Sequence, residues 1–135
     1  MIDLVRRTGM MELLREDEVP AGFAYPTRFR SIVNQGLLDF HPWHMLPREN
    51  ALVRLKWISQ EFPELELVPF ASRIDWGFDA CFERGSANSV VEIVADERPY
   101  RWHKRYPSFE DWVRAAFEDA LMFDDDVWTP PTHRA

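Results

Sequence analysis

The apolar residues of this chain change their spacing at Pro63, and this change constrains the fold more than any other feature. Before it, Ala51, Leu55 and Ile58 recur every three or four residues, which is typical of a helix that buries one side. After it, short segments alternate apolar and polar residues, which is typical of strands. Helical spacing returns at Ser108. We therefore expect an α+β domain with a mainly antiparallel sheet.

The pattern predicts N-terminal helices, a central sheet of about four to six strands and a C-terminal amphipathic helix packed on the sheet. The predicted helices are residues 3–15, 27–35, 48–62 and 108–121. The predicted strands are residues 64–68, 78–83, 89–95 and 100–105. Residues 37–47 contain Pro42 and Pro47, and we predict a packed loop without regular structure there.

Two elements have a predicted inner face. In the strand at 78–83, Phe78, Ala80 and Phe82 are expected in the core, and the alternate residues toward solvent. The C-terminal helix begins at Ser108, a good N-cap, and its apolar side contains the following residues: Phe109, Trp112, Val113, Ala116, Phe117, Ala120 and Leu121.

Length and composition indicate one domain. A chain of 135 residues with 46% hydrophobic residues can bury an ordinary core, so we expect a single domain over residues 1–123 and an irregular tail over 124–135. The single cysteine, Cys81, excludes an internal disulfide. No window approaches the roughly 20 apolar residues of a membrane helix, and the N-terminus does not resemble a signal peptide. A cytoplasmic protein without a membrane partner is expected.

Negative charge is concentrated in the middle of the chain. Residues 61–97 contain nine acidic and two basic residues, a charge of −7, which equals the net charge of the whole chain. This balance disfavours nucleic-acid binding through phosphates. Two interpretations stay open: a solvated acidic surface, or an acidic face that steers a basic partner. Trp76 within this region is expected either to pack over the sheet edge or to anchor a partner.

The sequence contains no recognisable catalytic or metal-binding pattern. It has no glycine-rich phosphate loop and no zinc-binding helix motif. His41 and His44 flank Pro42 without further ligands, and His103 is expected on a strand surface. Cys81 is expected to be a structural thiol, since neighbouring carboxylates disfavour its thiolate. We predict no catalytic residue, no metal and no cofactor.

Four segments resemble the SUKH superfamily. They are Leu67–Ala71 (LVPFA), Phe78–Phe82 (FDACF), the strand Val90–Val94, and Ser108–Trp112 (SFEDW), and their order and spacing give the likeness its weight. The likeness covers roughly residues 20 to 122. Between Leu67–Ala71 and Phe78–Phe82, where the family often has acidic and glycine residues, this chain has Ile74, Asp75, Trp76 and Gly77.

The resemblance implies a non-enzymatic α+β scaffold, used in bacteria as immunity proteins against polymorphic toxins and elsewhere as regulators of fungal cell-wall assembly. We therefore expect a toxin-immunity protein, monomeric or weakly dimeric, whose partner is a cognate, basic toxin that it blocks by occlusion. Asp75, Trp76, Asp79 and Glu83 are the expected partner-binding residues. The alternative is a regulatory or scaffold module that binds another protein.

Overall fold

The computed structural model describes residues 11–73, 75, 77–84, 89–94 and 101–123, without the side chains of 101–103. The helices are α1 (Thr27–Asn34), α2 (Arg48–Glu61) and α3 (Phe109–Met122). The strands are β1 (Asp39–Phe40), β2 (Trp43–Met45), β3 (Leu67–Arg73), β4 (Phe78–Glu83), β5 (Val90–Val94) and β6 (Arg101–Tyr106). The α+β class is confirmed. The predicted tail at 124–135 lies outside these residues.

The six strands form one antiparallel sheet in the order β1-β2-β3-β4-β5-β6. β3 carries an irregularity between Pro69 and Ala71, and the consecutive residues Phe70 and Ala71 therefore both belong to the main core. The predicted loop at 37–47 was wrong: it contains β1 and β2, joined through a cis His41–Pro42 bond. The predicted helix at 3–15 was wrong for residues 11–15, which are not helical. Residues 3–10 are not among the described residues.

One side of the sheet packs against α1 and α3 through aromatic rings. Phe70 and Phe82 stack with centroids 4.1 Å apart, and Phe29 of α1 meets both rings edge-on. Phe109 and Trp112 of α3 contact Phe70 from the same side, at 5.9 and 4.9 Å. Because edge-on and stacked aromatic pairs add to the area they bury, this cluster is the main core.

The other side of the sheet is covered by α2. Ile58 of that helix packs with a second buried group, whose other members are Leu67, Cys81, Val91 and Ile93. β4 is therefore buried on both faces, and the prediction that its alternate residues point to solvent was wrong. Apolar and polar residues do alternate along β4, but the polar residue Asp79 is covered by α2 and has its partners there.

The C-terminal helix begins as predicted. The Ser108 hydroxyl oxygen accepts a hydrogen bond from the Asp111 amide at 3.1 Å, which satisfies one of the free amides of the first turn. Trp112 is fully buried, whereas Phe117 is 37% and Leu121 84% exposed. The buried stripe is thus shorter than the apolar side predicted from the sequence.

Three hydrogen bonds, made through Trp112 and Asp119, connect α3 with the sheet. The Trp112 indole N–H donates to the Glu92 carboxylate of β5 at 3.0 Å, and both groups are buried. Arg73 and Trp43 donate to the same oxygen of Asp119, at 3.0 and 3.2 Å. Burial raises the pKa of Glu92 above its ordinary value, although the Trp112 hydrogen bond opposes that shift.

Candidate functional site: the exposed side of α2

Three of the four predicted partner-binding residues lie in the described part of the chain, and Trp76 lies outside it. Asp75, between β3 and β4, accepts hydrogen bonds from Arg73 at 2.8 and 3.3 Å, and only 7% of its side chain is exposed. This carboxylate is neutralised by its neighbour and is largely withdrawn from solvent.

Asp79 is buried under α2. Its residue is 2% exposed, one carboxylate oxygen accepts from the Ser72 hydroxyl at 2.5 Å, and the other lies 3.7 Å from an Arg54 guanidinium nitrogen. A carboxylate held away from water in this way needs such compensation. The structure therefore places Asp79 beneath the surface and not on it.

Glu83 lies at the far end of β4, where its carboxylate is 3.3 Å from Arg105 and 3.4 Å from the Ser89 hydroxyl. The strand between Asp79 and Glu83 rises about 3.3 Å per residue, so the two carboxylates lie well apart. The structure does not bring Asp75, Asp79 and Glu83 together into one exposed acidic face. A contact by Trp76 stays a prediction.

Two of the residues considered for catalysis, Cys81 and His44, have described side chains that lie on the sheet. Cys81 is fully buried, and burial, with the charge of Asp79 as a smaller cause, raises the pKa of its thiol. His44 lies opposite Ser72 across β2 and β3, and burial lowers the pKa of its imidazole. The Ser72 hydroxyl donates to Asp79, whereas an activated serine donates to a base such as histidine. No cluster of three metal-ligating side chains occurs within the described ranges.

The strongest candidate for binding is a surface on the outer side of α2 that sequence reasoning missed. A shallow depression of about 390 Å³ is lined by Glu49, Asn50, Val53, Arg54 and Trp57, which we call the Trp57 surface. Val53 is 49% and Trp57 43% exposed. These values are high for large apolar side chains of a helix that also has a buried side.

Helix geometry explains this exposure. Val53 and Trp57 are four residues apart and therefore share one side of α2, at about 100° per residue. That side is opposite to Ala51 and Ile58, the two residues that α2 buries. The signal was present in the sequence: an apolar pair at helical spacing on the side where an amphipathic helix is expected to be polar.

Charge divides unevenly over the Trp57 surface. The Arg54 guanidinium carbon lies over the Trp57 ring, 5.9 Å from its centroid, and Asp79 lies beneath the same guanidinium. Glu49 is exposed in the first turn of α2 and enters no ion pair with another residue of the described ranges. The surface thus combines an indole ring, an aliphatic side chain and one exposed carboxylate.

Two other apolar features lie on the surface away from the Trp57 surface. A groove of about 280 Å³ between α1 and α3 has Ile32, Phe109 and Val113 in its lining, and an ion pair of 2.7 Å between Arg28 and Glu110 lies at the same place. The exposed C-terminal end of α3 lies next to residues 124–135, which are not among the described residues. Neither feature has an exposed tryptophan beside an exposed carboxylate within the described ranges.

None of the helices in the described ranges is long and apolar enough to cross a membrane. A comparison of the chain with protein-family models, curated proteins and solved structures finds no match.

Proposed function

We propose that this chain is an immunity protein of the SUKH type, which binds a cognate, basic toxin in the cytoplasm and blocks the toxin's active surface by occlusion. The observation that carries the proposal is the Trp57 surface. It offers the features that dominate protein–protein hot spots, an exposed tryptophan beside an arginine, on a rigid helix.

The size of the Trp57 surface suits the centre of an interface. A depression of about 390 Å³ accepts one or two side chains of a partner, whereas a stable interface buries about 800 Å² on each side. We therefore expect the partner to insert an apolar side chain between Val53 and Trp57 and to extend over the surrounding surface of α2.

Charge supports a basic partner. The chain carries a net charge of −7, and Glu49 places an exposed carboxylate at the depression itself. The net negative charge would steer a basic toxin toward the chain, and a lysine or arginine of the toxin would contact the Glu49 carboxylate. Association should then slow as salt shortens the Debye length to about 8 Å at 0.15 M.

The positions of the four SUKH-like segments are consistent with this assignment. Leu67–Ala71 begins β3, Phe78–Phe82 lies in β4, Val90–Val94 is β5, and Ser108–Trp112 begins α3. Their large residues are buried in the core, as scaffold motifs require. Partner specificity is then left to surfaces outside these segments, and the Trp57 surface is one of them.

The test is co-expression with the product of the neighbouring reading frame, followed by binding kinetics. We expect the pair to copurify and toxicity to disappear. Trp57→Ala should raise the dissociation rate and weaken binding on the order of 30-fold, equivalent to about 2 kcal/mol. The matched control is Leu37→Ala, since Leu37 is equally exposed, at 43%, but lies outside α2.

Two results would contradict the proposal in different ways. Unchanged affinity in Trp57→Ala, with a normal melting temperature, would exclude the Trp57 surface as the contact. Binding of the neighbouring protein without any effect on toxicity would favour the regulatory or scaffold module instead.

A further inference from the structure

Arg54 connects the buried side of α2 with its exposed side. One of its guanidinium nitrogens is 3.7 Å from the Asp79 carboxylate, and the centre of the guanidinium lies 5.9 Å from the centroid of the Trp57 ring. The Asp79 side chain is 3% exposed and that of Arg54 32%. Asp79 therefore contacts Arg54, and Arg54 contacts Trp57, from beneath the helix to the solvent-exposed side.

The Asp79 end of this series of contacts is fixed by the sheet. Ser72 and Asp79 are paired across β3 and β4, and the Ser72 hydroxyl donates to one oxygen of the Asp79 carboxylate at 2.5 Å. The second oxygen faces Arg54. Because strand pairing leaves Asp79 little freedom, its carboxylate is an anchor for a side chain that would otherwise sample many rotamers.

We infer that Asp79 is a positioning residue for the Trp57 surface: it holds the Arg54 guanidinium over the indole ring and thereby sets the orientation in which the ring meets a partner. The effect on a partner rests on the proposed function, whereas the effect on the ring is a property of the free chain. Asp79 thus contributes to binding from below the surface, without touching the partner.

The physical basis is the attraction between the buried Asp79 carboxylate and the Arg54 guanidinium, 3.7 Å apart. This attraction is poorly screened beneath the helix, so withdrawal of Arg54 into solvent would forfeit it. The guanidinium in turn is attracted to the face of the indole ring. Removal of the charge at Asp79 releases both constraints, and Arg54 and Trp57 should then move more freely.

The first experiment uses the free protein. The indole N–H signal of Trp57 in a ¹⁵N-labelled sample is assigned by its absence in Trp57→Phe. In Asp79→Asn, which keeps an acceptor for Ser72 but removes the charge, this signal should shift and its order parameter should fall. The indole signals of Trp43 and Trp112, which lie in the core, should keep their positions.

The matched control is Glu83→Gln. Glu83 is on the same strand and also pairs with an arginine, Arg105, but it lies away from Trp57. It should leave the Trp57 signal unchanged. If Asp79→Asn does not fold, Ser72→Ala takes its place, because it removes the hydroxyl that fixes the Asp79 carboxylate while leaving Arg54 intact, and it should change the Trp57 signal in the same direction. An unaltered Trp57 signal in whichever variant folds overturns the inference.

The second experiment measures binding to the neighbouring gene product. Asp79→Asn should weaken affinity about two- to fivefold, the size of a cation–π contribution at an exposed site. In a Trp57→Ala background the same substitution should have no further effect. Equal losses in both backgrounds would show that Asp79 does not act through Trp57. If no partner binds, the proposed function fails, whereas the indole signal still tests the positioning role.

Discussion

Replacing Trp112 with alanine tests how α3 is held on the sheet. The ring is fully buried, lies 4.9 Å from the Phe70 ring and donates to Glu92 at 3.0 Å. Truncating a buried tryptophan costs about 3–5 kcal/mol, and removing one donor from a buried carboxylate adds about 1–3 kcal/mol. The expected loss of about 4–8 kcal/mol is large against the roughly 5–15 kcal/mol that stabilise a domain.

The assay is urea unfolding, followed by circular dichroism, with Phe117→Ala as the control. Phe117 is on the same helix but 37% exposed, and its nearest ring is Phe40 at 5.0 Å. Its truncation should cost about 1 kcal/mol. Equal losses for the two variants, or an unchanged midpoint in Trp112→Ala, would refute the packing described above. If Trp112→Ala is insoluble, Trp112→Phe should still lose at least about 1–3 kcal/mol, because it removes the donor and leaves a smaller ring in the core.

Two further substitutions test polar contacts of α3. Burial raises the pKa of the Glu92 carboxyl above its ordinary value of 4.5, so the folded state binds a proton there more tightly than the unfolded state does. The free energy of unfolding therefore falls as the pH rises from the ordinary pKa through the raised one. The melting temperature of Glu92→Gln relative to wild type should therefore increase between pH 4 and pH 8, values chosen to be about half a unit below and several units above the ordinary pKa; a constant difference would contradict this. Ser108→Ala removes the side-chain cap and should cost about 1 kcal/mol in urea unfolding, with Ser108→Thr close to wild type; equal stability of Ser108→Ala and wild type would show that the cap contributes nothing.

Periodicity predicted most of the fold because it reports local geometry. Residues 48–62 and 108–121 were recognised as helices since their apolar side chains recur at helical spacing, and α2 and α3 follow these bounds within one residue. β4, β5 and β6 were recognised from alternation and from β-branched residues. β1 and β2 were missed because two or three residues carry too little alternation, and the prolines around them favour a loop.

The site was less predictable because it depends on contacts between residues distant in sequence. Asp79 was expected at the surface, since nothing local to β4 shows that Arg54, in a helix that precedes the strand, covers it. Trp57 was overlooked although it and Val53 lie at helical spacing away from Ala51 and Ile58, because the sequence does not show whether another element covers that side of α2. Alternation identifies the two faces of a strand, but not which of them a helix will cover.

In a sheet whose strands pair in chain order, most paired strands are separated by only a few residues of the chain. β3, β4, β5 and β6 are joined by residues 74–77, 84–89 and 95–100, whereas the pairing of β2 with β3 must span residues 46–66, which include α2. Closing this longer connection costs about 1 kcal/mol more than closing a six-residue one, because closure entropy grows with the logarithm of length. Low contact order of this kind favours rapid folding, with the pairings among β3 to β6 and between β1 and β2 forming ahead of the longer-range pairing of β2 with β3.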